Sequence, residues 1–206
     1  MSGRLPHLTD TPVRLALVLI STVAGGCLHG TPMMTPETLP VGRTRVEAGF
    51  GFAPFQPSVR VRHGLTPRVE VGARADVFAL DVTGATVGAD ASVQLVRPGA
   101  GVGVVATLGV SGTAVASGTL ERNVGLFYAY PGIVVGRETL YGGTRALVPL
   151  DRTGDSAVGA FVGVRVPASS GASRHYLGIE VAAYRFSEER GIVPFPALTF
   201  GRRQNR

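Results

Sequence analysis

Hydrophobic and polar residues alternate one by one along most of the chain after residue 42. This period of two is typical of a β-strand with one apolar face. In the segment 69–76, valine and alanine occupy one face, and Glu70, Gly72, Arg74 and Asp76 occupy the other. The remaining segments of this kind are 45–52, 59–62, 87–95, 101–116, 123–136, 139–149, 156–166, 174–186 and 192–200.

Residues that favour turns separate these segments. They include Thr66-Pro67, Pro98-Gly99, Asp151–Gly154 and Ser169–Gly171, and no helical period of ten residues is found between them. The pattern therefore predicts about ten strands in an antiparallel meander with tight connections, and eight strands with longer loops is the alternative. The last segment, 192–200, carries two prolines, which predicts an edge or irregular strand.

The polar face of these strands is poor in charge for a sheet that contacts water. Charged residues make up only 17% of the chain, whereas a soluble surface usually carries roughly 25–35%. Small residues with sparse charges suit the narrow interior of a barrel. The sequence thus predicts an all-β, antiparallel up-and-down β-barrel whose apolar face contacts lipid. A soluble sandwich or barrel has the same period and remains the alternative.

Charged residues on the predicted inward face nearly cancel one another. Buried charges persist when they are paired, so these side chains are expected to form a charge network in the lumen. Its predicted members are Arg45, Glu47, Arg60, Arg62, Glu70, Arg74, Asp76, Asp90, Arg145, Arg165 and Glu180.

The first 27 residues have the pattern of an export signal. Arg4 and Arg14 precede the apolar run 15–24, which is too short for a spanning helix but fits the core of a signal peptide. The ending Ala24-Gly25-Gly26-Cys27 resembles a bacterial lipobox. That resemblance implies cleavage between Gly26 and Cys27, and a diacylglycerol with fatty acids such as palmitate on the Cys27 thiol. An ordinary secretory signal with an incidental cysteine is the alternative.

These patterns divide the chain into four parts. Residues 1–26 are the predicted signal peptide, 27–41 a lipidated N-terminus and proline-rich, semi-extended tether, 42–202 the barrel, and 203–206 a polar tail. Leu28, rather than an aspartate, follows the cysteine, which favours the outer membrane with the lipid in its periplasmic leaflet. An even number of strands then places the connection 65–68 in the periplasm and the connections 53–57, 81–86 and 117–122 outside.

Two motifs resemble those of small outer-membrane β-barrel proteins of Gram-negative bacteria. They are the hairpin from Arg62 to Gly72 (RHGLTPRVEVG) and the strand start from Glu138 to Gly143 (ETLYGG). The resemblance implies a membrane barrel but no particular activity. With no tryptophan in the chain, an aromatic girdle at the membrane surfaces is expected from Phe50, Phe52, Phe127, Tyr128, Tyr130, Tyr141, Tyr176, Tyr184 and Phe186.

The sequence offers little catalytic or cofactor chemistry. Residues 101–106 (GVGVVA) match a dinucleotide-binding pattern, but no helix follows to bind a phosphate. His63 and His175 are the only histidines of the predicted barrel, and neither has a serine or acidic partner next to it. Cys27 is the only cysteine, which excludes a multi-cysteine metal site. We therefore expect no enzyme activity, no metal and no cofactor.

The basic balance of the chain does not indicate nucleic-acid binding, because the arginines are scattered and form no patch. The expected partner is membrane lipid. The sequence therefore favours an outer-membrane β-barrel lipoprotein with a structural or interaction role. The alternatives are a narrow passive pore, and a lipid-anchored soluble barrel of the periplasm that binds a small apolar ligand.

Overall fold

The protein is described by a computed structural model in eight stretches of chain. These are residues 33–52, 55–79, 83–99, 101–116, 124–151, 155–168, 175–187 and 191–202. The regular structure in them is β-strand, and they contain no helix long and apolar enough to cross a membrane. The strands are β1 (Thr44–Phe52), β2 (Phe55–Thr66), β3 (Val69–Ala79), β4 (Thr83–Val96), β5 (Gly103–Ala116), β6 (Val124–Ala129), β7 (Gly132–Gly136), β8 (Leu140–Pro149), β9 (Ala157–Pro167), β10 (His175–Phe186) and β11 (Val193–Arg202).

The strands form one antiparallel sheet that closes into a barrel. Apart from β6 and β7, strands that follow one another along the chain lie side by side in the sheet, and β1 also pairs with β11. β6 and β7 share one position between β5 and β8, so the barrel has ten strand positions. This confirms the prediction of an all-β meander barrel with ten strands, and the alternative count of eight is wrong.

One predicted strand, 123–136, is broken into β6 and β7. The break falls at Tyr130 and Pro131, where proline has no N–H to donate to the sheet. The ladder continues on both sides of it, because Tyr130 donates its amide to Gly109 O (2.8 Å) and Pro131 O accepts from the amide of Ala146 (2.9 Å). The two short strands therefore act as one wall element.

The last strand differs from its prediction as an edge or irregular strand. β11 pairs with β10 from Tyr184–Val193 to His175–Arg202 and with β1 over 197–201, so it closes the barrel. Pro194 and Pro196 lie beyond the pair Gly51–Ala197, where the paired part of β1 ends. Proline is tolerated there because one side of the strand has no ladder to complete.

Each strand presents one face to the lumen and one to the outside. In β9, buried and exposed residues alternate from Ala157 to Val166, and the valines at 158, 162 and 164 point outward as the sequence predicts. We call the end of the barrel that holds Thr44, Arg202 and the turn 67–68 the terminal rim. The opposite end, which holds Phe52, Phe55, Leu150 and Ser156, is the loop rim.

The aromatic girdle differs from the prediction. All five tyrosines and Phe186 are buried on the inward face, whereas Phe50, Phe52 and Phe127 point outward and are exposed. Apart from Tyr176, these inward rings belong to an apolar cluster that fills part of the lumen between β6 and β11. Its aromatic members are Tyr128, Tyr130, Tyr141, Phe161, Tyr184, Phe186 and Phe195.

Candidate functional site

The lumen is the candidate site, because the charged side chains of the strands converge there. Every predicted member of the charge network lies on the inward face. Arg45 is half-buried and the others are buried. The buried members are Glu47, Arg60, Arg62, Glu70, Arg74, Asp76, Asp90, Arg145, Arg165 and Glu180.

Ion pairs connect most of these side chains, both within a strand and between strands. Arg62 lies between two carboxylates, 2.8 Å from Glu70 Oε1 and 3.4 Å from Glu47 Oε1. The other ion pairs are Arg60–Asp90 at 2.5 Å, Arg74–Asp76 at 2.8 Å and Arg165–Glu47 at 3.3 Å. Charge-assisted hydrogen bonds of this kind compensate the loss of water around buried ions. The network therefore lets a narrow lumen hold charged side chains that pair with one another.

Tyrosines complete the network, and the sequence analysis did not include them among its members. Tyr176 donates its hydroxyl to Glu47, and Tyr141 donates to Glu180 Oε2 at 3.0 Å. The guanidinium carbon of Arg165 lies 5.0 Å from the ring centre of Tyr141 and 4.8 Å from that of Tyr176, so the cation stacks between two aromatic faces. The alternation of residues could have indicated that Tyr176 points into the lumen, because Tyr176 falls on the same face of β10 as Glu180.

A second layer of the site comes from the chain before β1. Residues 33–39, which we call the plug segment, lie inside the barrel, and Met33, Met34 and Leu39 are almost fully buried. Met34 packs in the aromatic cluster, while the Met33 side chain faces Ser58 of β2. Leu39 lies near the terminal rim, next to Gly64. The plug segment thus runs through part of the lumen toward the rim where β1 begins.

Wall side chains bind the backbone of the plug segment. Three amides of the segment are donors: Met33 N to Glu180 Oε1 at 3.2 Å, Thr38 N to Gln94 Oε1 at 2.7 Å, and Leu39 N to Glu70 Oε2 at 2.9 Å. Two carbonyls are acceptors: Met33 O from Arg60 Nη1 at 2.8 Å and Pro36 O from Gln94 Nε2 at 2.9 Å. The side chain of Thr35 also accepts from Arg62 Nη1 at 2.9 Å. Most of this recognition is directed at the main chain.

The wall leaves space for this backbone at two glycines. A Cβ atom at Gly64 would lie 2.2 Å from Pro40 O, and one at Gly103 would lie 2.4 Å from Pro36 O. Both distances are far below van der Waals contact, so no other residue fits at these positions while the plug segment is in place. The wall and the plug segment are therefore complementary in shape.

The plug segment corrects the predicted tether over 27–41. Residues 33–39 pack in the lumen instead of extending between a lipid and the barrel. A physical signal for this was present: Glu37 is the only acidic or arginine residue between 28 and 41, and a solvated linker is usually richer in charge. Gly26, Cys27, the signal segment and the tail 203–206 lie outside the described residues.

The outward face of the barrel is nearly free of charge. Among the described strand residues, arginine and acidic side chains point outward only at Arg185 and Arg202. Arg185 is next to the last residue of β10, and Arg202 is the last residue of β11. Between these ends the outward side chains are mainly valine, alanine, leucine, isoleucine and phenylalanine.

The two histidines of the barrel lie at the terminal rim. His63 Nδ1 is 2.8 Å from the hydroxyl of Thr44, and the His175 ring stacks on Phe200 with centroids 5.7 Å apart. Neither contact is with an acidic side chain. Within the described stretches, no three histidine, cysteine or acidic side chains are grouped as they would be in a metal site.

Comparison with known proteins gives little beyond the fold. No protein-family model and no curated protein matches the chain. Among solved structures, the N-terminal β-barrel domain of OprF from Pseudomonas aeruginosa is similar, with 12% sequence identity and a TM-score of 0.44. The similarity covers 80% of this chain and 98% of that domain. At this TM-score the likeness says nothing about what the present chain does.

Proposed function

We propose that this protein is an integral β-barrel of the bacterial outer membrane, also anchored by a lipid on Cys27, with a structural or interaction role and no catalysis. The observation that carries the proposal is the outward face, where charged side chains are confined to the ends of strands. A charge in the middle of a lipid bilayer costs about 2–4 kcal/mol on a barrel exterior. Selection for a lipid-facing surface explains such a distribution.

The height of the apolar band supports the same proposal. On β9, apolar outward residues extend from Val158 to Val166. These eight steps of about 3.3 Å, at a strand tilt of ~40°, rise roughly 20 Å, close to the apolar band of outer-membrane barrels. Val158 is 65% exposed and Val162 53% exposed. In water, so large an apolar surface would promote aggregation, which argues against a soluble barrel of the periplasm.

The filled lumen favours a structural or interaction role over a passive pore. Ion pairs such as Arg60–Asp90, the aromatic cluster and the plug segment together occupy the described interior. A solute would have to displace buried, hydrogen-bonded groups in order to pass. We therefore expect the intact protein to show no steady current in a planar bilayer.

The lipid anchor is supported by the sequence around Cys27. The position of Met33 limits how far from the barrel the lipid can lie. Six peptide units join these two residues and extend at most about 20 Å. The acylated end would therefore have to reach the membrane close to the barrel itself. Mass spectrometry of the mature N-terminus should find a diacylglyceryl group on Cys27. A free Cys27 thiol would disprove the anchor and leave the barrel proposal standing.

Cysteine labelling of intact cells tests the membrane proposal. Ser187→Cys lies next to the loop rim and Ala168→Cys next to the terminal rim, and both positions are exposed. With Cys27 retained, a membrane-impermeant maleimide should label position 187 on intact cells, and position 168 only after the outer membrane is permeabilised. Protection of both positions until permeabilisation would show a soluble periplasmic domain and overturn the proposal.

A further inference from the structure

The lumen binds the plug segment, which bends at Pro36 and Glu37, by contacts that recognise a peptide main chain. Glu70, Gln94 and Glu180 accept backbone amides, and Arg60 and Gln94 donate to backbone carbonyls. Proteins that capture extended peptides use main-chain hydrogen bonds for affinity and pockets for side chains for specificity. Here Met34 packs in the aromatic cluster, and the side chains of Met33 and Leu39 are also buried.

The shape of the wall indicates a dedicated groove. At Gly64, the three atoms closest to an added Cβ all belong to residues 39 and 40, and none belongs to the rest of the wall. The closest atoms that exclude a side chain at this position thus belong to Leu39 of the plug segment and to Pro40, which follows it. The glycine serves the bound segment rather than the packing of the barrel.

The wall has its own charge balance without the plug segment. Arg60 pairs with Asp90, and Arg62 pairs with both Glu47 and Glu70. If the plug segment left, these ions would keep their partners, and water would solvate the polar groups that it had bound. The described plug segment is joined to the barrel through residues 40–43, at the start of β1.

We propose that the lumen is a binding groove for a short peptide, that residues 33–39 are its resident ligand, and that a separate peptide of the same sequence can take their place. This inference depends on the fold alone. It holds whether or not the barrel lies in the outer membrane or carries a lipid. A failed peptide-binding experiment would therefore not count against the membrane proposal or the lipid anchor.

Exchange of the plug segment in purified protein tests the inference. The mature chain carrying Cys27→Ser, with a protease recognition sequence inserted after the exposed Gly42, is folded in detergent and then cleaved. The probe is a fluorescent synthetic peptide of residues 33–40. After cleavage and dilution, the plug segment should dissociate, and the probe should bind saturably with one site per barrel while the β-sheet circular dichroism is unchanged.

Matched variants identify the groove and the main-chain recognition. In the barrel, Gly64→Ala should weaken binding of the probe at least tenfold, whereas Gly99→Ala, which has no neighbour within 4 Å, should have no effect. In the probe, Leu39→Pro removes the amide that Glu70 accepts and should weaken binding at least tenfold. Pro40→Ala, at an exposed position, should change it less than twofold.

Three results would overturn the inference. The first is a cleaved plug segment that stays bound and does not exchange with excess probe. The second is loss of the β-sheet signal when the segment leaves, because the segment would then be part of the folding core. The third is equal binding of the probe to the Gly64→Ala and unaltered barrels.

Discussion

Tyr141 and Gly163 show how large and small residues share the lumen at the scale of single side chains. A Cβ atom at Gly163 would lie 2.4 Å from Cζ of Tyr141, so the ring of β8 covers the glycine of β9. The same ring binds Glu180 and stacks on Arg165. Glycine on an inward face opposite an aromatic ring is a known device of curved sheets. Alternation predicted the inward position of charged residues such as Arg165, but neither that of the Tyr141 ring nor which glycine the ring covers, because the latter depends on the register between strands.

Replacement of Gly163 by alanine is therefore expected to destabilise the folded barrel by about 1–3 kcal/mol, as overpacking commonly does. The added methyl group forces the Tyr141 ring away from Glu180. The control is Gly99→Ala at an open position, where the expected change is within about 0.5 kcal/mol. Urea unfolding in detergent, followed by the mobility shift between folded and unfolded protein, measures both variants. Equal stability of the two variants would contradict the packing described for Tyr141.

At the scale of strands, the sequence predicted well that the strands exist, how many there are and which face of each is apolar, because side-chain alternation is a local property. It did not predict the break of the sixth barrel position at Pro131, nor the role of β11 in closure. Both depend on neighbouring strands: a proline is acceptable only where a partner needs no amide from it. The sequence therefore specifies the faces of β11, while pairing with β1 decides that it is not an edge.

The depth of an outward position should control the effect of a charge placed there. Val162 lies near the middle of β9, and Val162→Arg should lower the free energy of unfolding by about 2–4 kcal/mol if this position faces the bilayer centre. Val166→Arg, near the terminal rim, should lower it by about 0–1 kcal/mol. Val162→Ala separates the loss of the valine side chain from the effect of charge. Unfolding titrations in lipid vesicles measure all three variants. Equal tolerance of arginine at both depths would indicate a water-facing barrel.

At the scale of the whole molecule, closure was predictable and the plug segment was not. Ten amphipathic strands with lipid on one side have no stable edge, so they are expected to close. The plug segment has no periodicity, and its fit depends on side chains that come from distant parts of the chain, among them Glu70, Gln94 and Glu180. Such a fit exists only once the barrel has formed. The pairing of charges, Arg62 with two carboxylates for example, has the same origin.

Closure of the barrel makes a sharp prediction about its first and last strands. Ala48 of β1 pairs with Phe200 of β11, and Phe200 also pairs with Leu177 of β10. Paired positions of an antiparallel sheet have Cα atoms about 4.5–5.5 Å apart, within the range of a disulfide. In a Cys27→Ser background, Ala48→Cys with Phe200→Cys should therefore oxidise to an intramolecular disulfide and give a circularised chain of altered gel mobility. Ala48→Cys with Leu177→Cys, two strands apart at roughly 9–10 Å, should not, because that separation is too long for a disulfide. Cross-linking of the second pair but not the first would mean that β11 does not lie beside β1, and that the sheet is not closed as described.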